Sequence, residues 1–219
     1  MTSDPTNPPV EVEAKFLGGE SEFQRILGWL EAHQYSKSIR KPPVNRLHVY
    51  FDADGVMYRA GCRLRCVVAA GEWCRYDFKA ECGNVHNETV ELSINKTTPV
   101  LTGSVINEML ERLPDGEPRK ILSEIQKTAR IVVVMVGRHL KTIARKGDLE
   151  LEISWDQLTL LDTGGVISEV EVELIHGTKD AFDTIVLDLE RTMVLKRVQA
   201  SKYQQAIAIK AGNQKGNPQ

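Results

Sequence analysis

From Val10 to Phe16 the chain alternates strictly, with Val10, Val12, Ala14 and Phe16 on one side and Glu11, Glu13 and Lys15 on the other, the period-two pattern of a half-buried strand. Gly18 and Gly19 break it. Phe23, Ile26, Leu27 and Leu30 then recur at helical spacing, predicting a helix over Glu22–Ala32 with Ser21 as its cap. After Pro42 and Pro43, strands are expected at Arg46–Asp52 and Cys62–Ala69 around the turn-rich Asp52–Gly55, and again at Trp73–Ala80 and Glu88–Ile94. Val105–Leu113 reads as a second helix, stopped by Pro114. A long apolar strand is expected from about Glu124 to Val136, followed by a hairpin of Leu140–Arg145 with Leu149–Trp155 across Gly147 and Asp148. Val166–Ile175 is the last predicted strand, and Ala181–Met193 and Ser201–Ile209 are predicted helices.

Successive strands with few intervening helices predict an antiparallel sheet of the α+β class that closes into a barrel with helices outside. Residues 1–9, rich in proline, read as a flexible lead, 10–209 as one domain and 210–219 as a loose tail.

Charge changes the picture because it is sorted by strand. Glu11 and Glu13, then Glu150, Glu152 and Asp156, then Glu169, Glu171 and Glu173 form three acidic ladders at even spacing. Arg63 and Arg65, Arg75 and Lys79, and Arg130 lie on other segments. One such ladder alone is ordinarily a solvated outer face. Several together, with apolar-striped helices available to cover the opposite faces, point to a charged barrel interior. Clustered carboxylates suit a hard divalent cation, and arginines and lysines suit phosphate, so the interior fits a metal-complexed polyanion. The same parity sends Cys62, Cys66, Cys74 and Cys82 to the apolar side, as buried reduced thiols.

The 219 residues carry 28 Lys and Arg against 30 Asp and Glu, so no net basic field draws the chain to nucleic acid. No apolar run approaches the roughly 20 residues of a membrane span, and the first residues lack a signal-peptide pattern, so a cytoplasmic address is expected.

The pentapeptide EVEAK, Glu11–Lys15, resembles the ExExK signature of the CYTH superfamily, the triphosphate tunnel metalloenzymes. It is accompanied by VYFDADGVMYRAGCRLR, by Phe78 and Lys79, by Lys127–Arg130, and by LELEISWD, EVEVELIHG and SKY in matching order over about residues 10 to 205. The resemblance implies an eight-stranded antiparallel β-barrel, a tunnel binding triphosphate compounds with Mg²⁺ or Mn²⁺. It implies Glu11, Glu13, Glu169 and Glu171 as metal ligands, with Glu152 and Asp156 positioning metal or water. Lys15, Arg63, Arg65, Lys79, Arg130 and Lys202 would hold phosphates, and Glu13, Glu152, Asp156 and Glu171 form the catalytic carboxylate set. Arg59 is a rim candidate. His86 and Glu88 stand where many members carry an Arg-x-Glu pattern.

The expected activity is metal-dependent hydrolysis of inorganic triphosphate or a small triphosphate compound. Alternatives are a class IV adenylate cyclase, a thiamine triphosphatase, a noncatalytic polyphosphate-binding module, and, from the barrel class alone, an apolar-ligand carrier. His48 reads as a satisfied strand-face residue, His139 and His176 as turn residues, and Trp29, Trp73 and Trp155 as packing groups.

Overall fold

The computed structural model describes residues 10–37, 43–69, 73–81, 88–97 and 99–215. His86 and Cys82 lie outside them.

The elements are β1 (Val10–Leu17), α1 (Glu20–Ala32), β2 (Ser36–Lys37), β3 (Val44–Asp52), α2 (Val56–Arg59), β4 (Cys62–Ala69), β5 (Trp73–Glu81), β6 (Glu88–Lys96), α3 (Gly103–Arg112), α4 (Glu117–Ile125), β7 (Arg130–Lys146), β8 (Leu149–Leu160), β9 (Val166–His176), α5 (Lys179–Met193), β10 (Lys196–Arg197) and α6 (Lys202–Lys215). Antiparallel pairings run β1–β6–β5–β4–β3–β7–β8–β9, and β9 returns to β1, so the eight long strands close a ring. The join of β1 to β6 is short, three residue pairs from Val10↔Val90 to Val12↔Glu88. β2 and β10 are two-residue additions on β7 and β1.

Alternation along each strand divides the side chains between two environments. On the outside, Phe16, Ile153, Trp155, Val170 and Val172 pack under α1 and α5 through Phe23, Ile26, Phe182 and Leu189. The outer faces of β3 to β6, among them Leu64, Cys66, Tyr76 and Phe78, are covered by α3 and α4 through Ile106, Met109, Leu122 and Ile125. Each such large apolar side chain contributes roughly 1.5–3 kcal/mol by leaving water. Inside, one end of the barrel is filled by Tyr50, Val133, Met135, Leu158, Leu160 and Ile167, against which Tyr203 and Ala206 of α6 close.

Three departures from the sequence reading have local causes. The first helix starts at Glu20, and its cap is Gly19, whose N–H donates to Glu22 Oε2 at 2.7 Å; Ser21 lies inside the helix. Residues 117–125 form a helix that was not expected and that overlaps the first residues of the strand expected from about Glu124, which starts instead at Arg130; Pro118 lies in its first turn and Ile121, Leu122 and Ile125 are buried. β7 runs unbroken through Gly137, where a Cβ would lie 1.8 Å from the Gln157 carbonyl oxygen, so the glycine permits a close approach to β8 within the strand. In addition, α6 continues to Lys215, into the stretch expected to be a loose tail.

Candidate functional site: a charged cavity inside the barrel

The inward faces of the strands enclose a cavity of about 230 Å³ above the apolar floor. Among the described residues its lining includes eight Lys or Arg and seven Asp or Glu, and Val67 is the only wholly hydrocarbon side chain. Burying so many charges is tolerable only because they neutralise one another.

β1 and β9 set the acidic wall, with Glu13 opposite Glu173 and Lys15 opposite Glu171 in register. β8 continues it, placing Glu152 beside Glu173 and Ser154 beside Glu171. The facing wall comes from β3, β4 and β5, with Arg63 beside Lys79 and Arg65 beside Asp77. Lys15 Nζ lies 2.6 Å from Glu13 Oε1, Arg63 approaches the same oxygen at 3.9 Å, and Lys79 pairs with Glu11 and, at 3.2 Å, with Glu91. Burial opposes the charge on Lys79, but Glu11, Glu13 and Glu91 outweigh it and raise its pKa.

Lys202, the first residue of α6, reaches the floor of the cavity. Its ammonium meets Asp156 Oδ2 at 2.9 Å, Glu169 Oε1 at 2.8 Å and Glu171 Oε2 at 2.9 Å. Burial works against its charge, yet the three carboxylates hold its pKa well above the ordinary lysine value. Reciprocally, Lys202 overcomes burial to keep Asp156 well below the usual carboxylate range, helped by His139, and lowers Glu171 together with Lys15. Burial chiefly, then Glu11 and Glu152, push Glu173 up to about 8.

Of the predicted site residues, Glu11, Glu13, Lys15, Arg63, Arg65, Lys79, Glu152, Asp156, Glu171 and Lys202 all line the cavity. Two do not. Glu169 is fully buried behind the lining, where Gln205 Nε2 donates to its Oε2 at 2.7 Å and Lys202 sits on its other oxygen. Arg130 is outside the barrel, two-thirds exposed and paired with Asp54, because it lies at the start of β7 beyond the cavity's end. Arg59 donates to the Asp54 carbonyl at 2.9 Å in the same outer cluster. Glu150, read as part of an acidic ladder, pairs outside the cavity with Arg145 at 2.7 Å.

The lining also contains residues that were not singled out as site residues: Arg46, Tyr50, Arg75, Glu91, Lys141 and Glu173, together with two histidines. Strand parity was the available signal, since Arg46 and Tyr50 share a face with His48, and Arg75 shares one with Lys79. His48 corrects its reading as a satisfied residue: it is 2% exposed, neither ring nitrogen has a hydrogen-bond partner among the described residues, and burial and Arg65 push its pKa down to about 3. His139 is no turn residue. It sits inside β7, with Nδ1 2.8 Å from Asp156 Oδ1.

The carboxylates Glu11, Glu13 and Glu171 are hard oxygen donors facing one space, the chemistry that a small divalent cation requires. Among the described residues they do not converge as a ready-made group of three ligands; each is held by an ammonium instead. Glu169 is not among the lining residues; its oxygens are held by Gln205 Nε2 and by the Lys202 ammonium that also meets Asp156 and Glu171.

No family model and no curated protein matches the sequence. Solved structures do share the fold. A Pyrococcus horikoshii protein aligns with a TM-score of 0.55 at 17% identity, covering 90% of this chain and 98% of its own. A candidate adenylate cyclase from Bacillus halodurans aligns at 0.54 and 15% identity, covering 89% and 95%. A candidate adenylyl cyclase from Hippeastrum with a dominant triphosphatase activity aligns at 0.53 and 14% identity, covering 93% and 95%. The chain thus has the architecture of these proteins along nearly their whole length. Among the described residues no helix is long and apolar enough to cross a membrane.

Proposed function

We propose that this chain is a triphosphate tunnel metalloenzyme of the CYTH family that hydrolyses inorganic triphosphate or a related small triphosphate compound. The observation that carries this reading is the cavity itself, in which eight cationic side chains and seven carboxylates face a space with almost no hydrocarbon lining. Cations alone would serve a phosphate-binding module; the added carboxylates would weaken such a module unless a divalent cation accompanies the phosphate. An apolar-ligand carrier has no place to put its ligand here.

In this reading Lys15, Arg63, Arg65, Lys79 and Lys202 bind phosphate oxygens, Arg63 and Arg65 through two-pronged guanidinium contacts. Glu11, Glu13 and Glu171 would hold Mg²⁺ or Mn²⁺, which when bound neutralises phosphate oxygens and polarises the terminal phosphorus. The lysines and carboxylates hold one another before the ligand enters, so binding exchanges internal ion pairs for ligand ion pairs within a fixed wall. Such preorganised charge supplies most of the rate in phosphoryl transfer.

The test is phosphate release by purified protein from inorganic triphosphate and, separately, from ATP, with Mg²⁺, Mn²⁺ or chelator, while cyclic AMP and pyrophosphate are followed. Metal-dependent release favouring inorganic triphosphate supports the hydrolase. Cyclic AMP with stoichiometric pyrophosphate replaces it by a cyclase, and tight triphosphate binding without metal dependence or product replaces it by a binding module.

A further inference from the structure

A buried cation needs a counter-charge, and which carboxylate supplies it decides when the cation can turn to a ligand. Three of the cavity's lysines lean on the acidic wall: Lys15 on Glu13, Lys79 on Glu11 and Lys202 on Glu171. A phosphate that engages them competes with those carboxylates unless a divalent cation has taken them up. Arg65 and Arg75 are held differently.

Both line the cavity, while their shared partner Asp77 is buried and is not among the described residues of the lining. Arg65 donates to Asp77 Oδ2 from Nε at 3.1 Å and from Nη2 at 2.7 Å. Arg75 donates to the same oxygen from Nη2 at 3.2 Å, and its Nε lies 2.7 Å from Oδ1. Ser93 Oγ donates to Oδ1 at 2.7 Å and fixes the carboxylate from β6. Each planar guanidinium thus turns its Nε–Nη2 edge to one carboxylate and its Nη1 edge away from it. Two cations on one anion leave the trio with a net positive charge, and without Asp77 the two forks would repel each other.

We infer that Arg65 and Arg75 form a paired phosphate site that is ready before a divalent cation binds, and that Asp77, locked by Ser93, is the positioning residue that keeps it so. The inference rests on the triphosphatase reading and deepens it, giving a phosphate contact to Arg75, to which the family resemblance assigned no role. Binding is thereby divided: the arginine pair takes phosphate oxygens first, and the lysines join once Glu11, Glu13 and Glu171 are taken up by the cation. Asp77 acts by orientation. As a charge alone it would weaken phosphate binding; by holding two cationic forks at a fixed spacing it lowers the cost of ordering them when the ligand enters.

Those opposed effects give the test a sign. Titration calorimetry with inorganic triphosphate in chelator reads Kd, and phosphate release with Mg²⁺ reads KM and kcat. Wild type is expected to bind in chelator without turnover. Arg75→Ala is expected to raise Kd and KM by at least about tenfold with kcat within about threefold. Asp77→Asn is expected to raise Kd at least about fivefold although it removes a negative charge. In the Arg75→Ala background, where no second fork remains to be spaced, that loss is expected to fall below about twofold. Ser93→Ala, at an exposed position, keeps the carboxylate and is expected to raise Kd as well, so the sign can be read even if Asp77→Asn fails to fold. No wild-type binding in chelator, Arg75→Ala within about twofold of wild type, tighter binding by either Asp77→Asn or Ser93→Ala, or an equal Asp77→Asn loss in both backgrounds overturns the inference, while metal-dependent turnover keeps the triphosphatase reading. A wild type that neither binds nor hydrolyses triphosphate overturns that reading, and the arginine pair falls with it.

Discussion

The Tyr203 hydroxyl donates to Asp52 Oδ2 at 2.7 Å, tying the first turn of α6 to the end of β3. Asp52 is fully buried and also accepts from the backbone N–H groups of Ala53, Met57 and Tyr58, while the Tyr203 ring stacks on Tyr50 with centroids 5.4 Å apart. One carboxylate thus fixes both the α2 turn and the helix that delivers Lys202. Tyr203→Phe is expected to cost about 1 kcal/mol, since Asp52 keeps its other donors, whereas Asp52→Ala strands several buried N–H groups and is expected to cost about 3 kcal/mol or more. Urea denaturation of the two variants checks the order.

Asp77 carries a pH signature. Burial alone would raise its pKa, but Arg65 at 2.7 Å and Arg75 at 2.7 Å outweigh burial and bring it below the ordinary 3.8. Its folded pKa being the lower one, the carboxylate contributes stability that is complete above the unfolded value and is lost as pH falls toward the folded one. Wild type is expected to exceed Asp77→Asn in stability at neutral pH, and the gap is expected to narrow below about pH 4. Thermal unfolding across that range reads it directly.

Glu171→Gln is expected to abolish metal-dependent turnover, at least about 100-fold, while the protein stays folded, because the buried Lys202 ammonium keeps Asp156 and Glu169 as partners. Chelator is expected to do the same to wild type. Phosphate release together with circular dichroism separates loss of chemistry from loss of fold.

Arg63 and Arg130 were equivalent in the sequence signature and are not in the structure. Arg63→Ala, from the cavity wall, is expected to raise KM for triphosphate by about tenfold or more. Arg130→Ala, which removes only an exposed pair with Asp54, is expected to leave both kinetic constants within about twofold.

Burial pushes the thiols of Cys62 and Cys66 up to about 12. Alkylation at pH 8 is expected to leave both unmodified in the folded protein and to label them only in denaturant, as mass spectrometry would show.

Most of the cavity was legible because alternation is a strong signal when one face is charged. Glu11 and Glu13, Arg63 and Arg65, and Glu171 fall where period two puts them. The failures came where the period was interrupted. Gly137 reads as a strand end in sequence because its defect is steric and its partner, the Gln157 backbone, lies on another strand. With β7 cut there, His139 became a turn residue and the parity linking it to Lys141 was lost. Helix α4 was hidden by the apolar run that follows it, although Pro118 and the spacing of Ile121 and Ile125 mark it. Glu169 follows the rule of alternation and still lies outside the cavity lining, since depth along the barrel, unlike facing, is not written in the period. Arg130 fails for the same reason.

The apolar cluster of Val133, Met135, Leu158 and Tyr203 borders the charged cavity with side chains that offer a phosphate oxygen no ion pair. A polyanion gains nothing by pressing deeper against that surface, so the charged stretch alone sets how many phosphates are held. Chain length in the ligand is thereby measured by the reach of the charges and by no apolar contact.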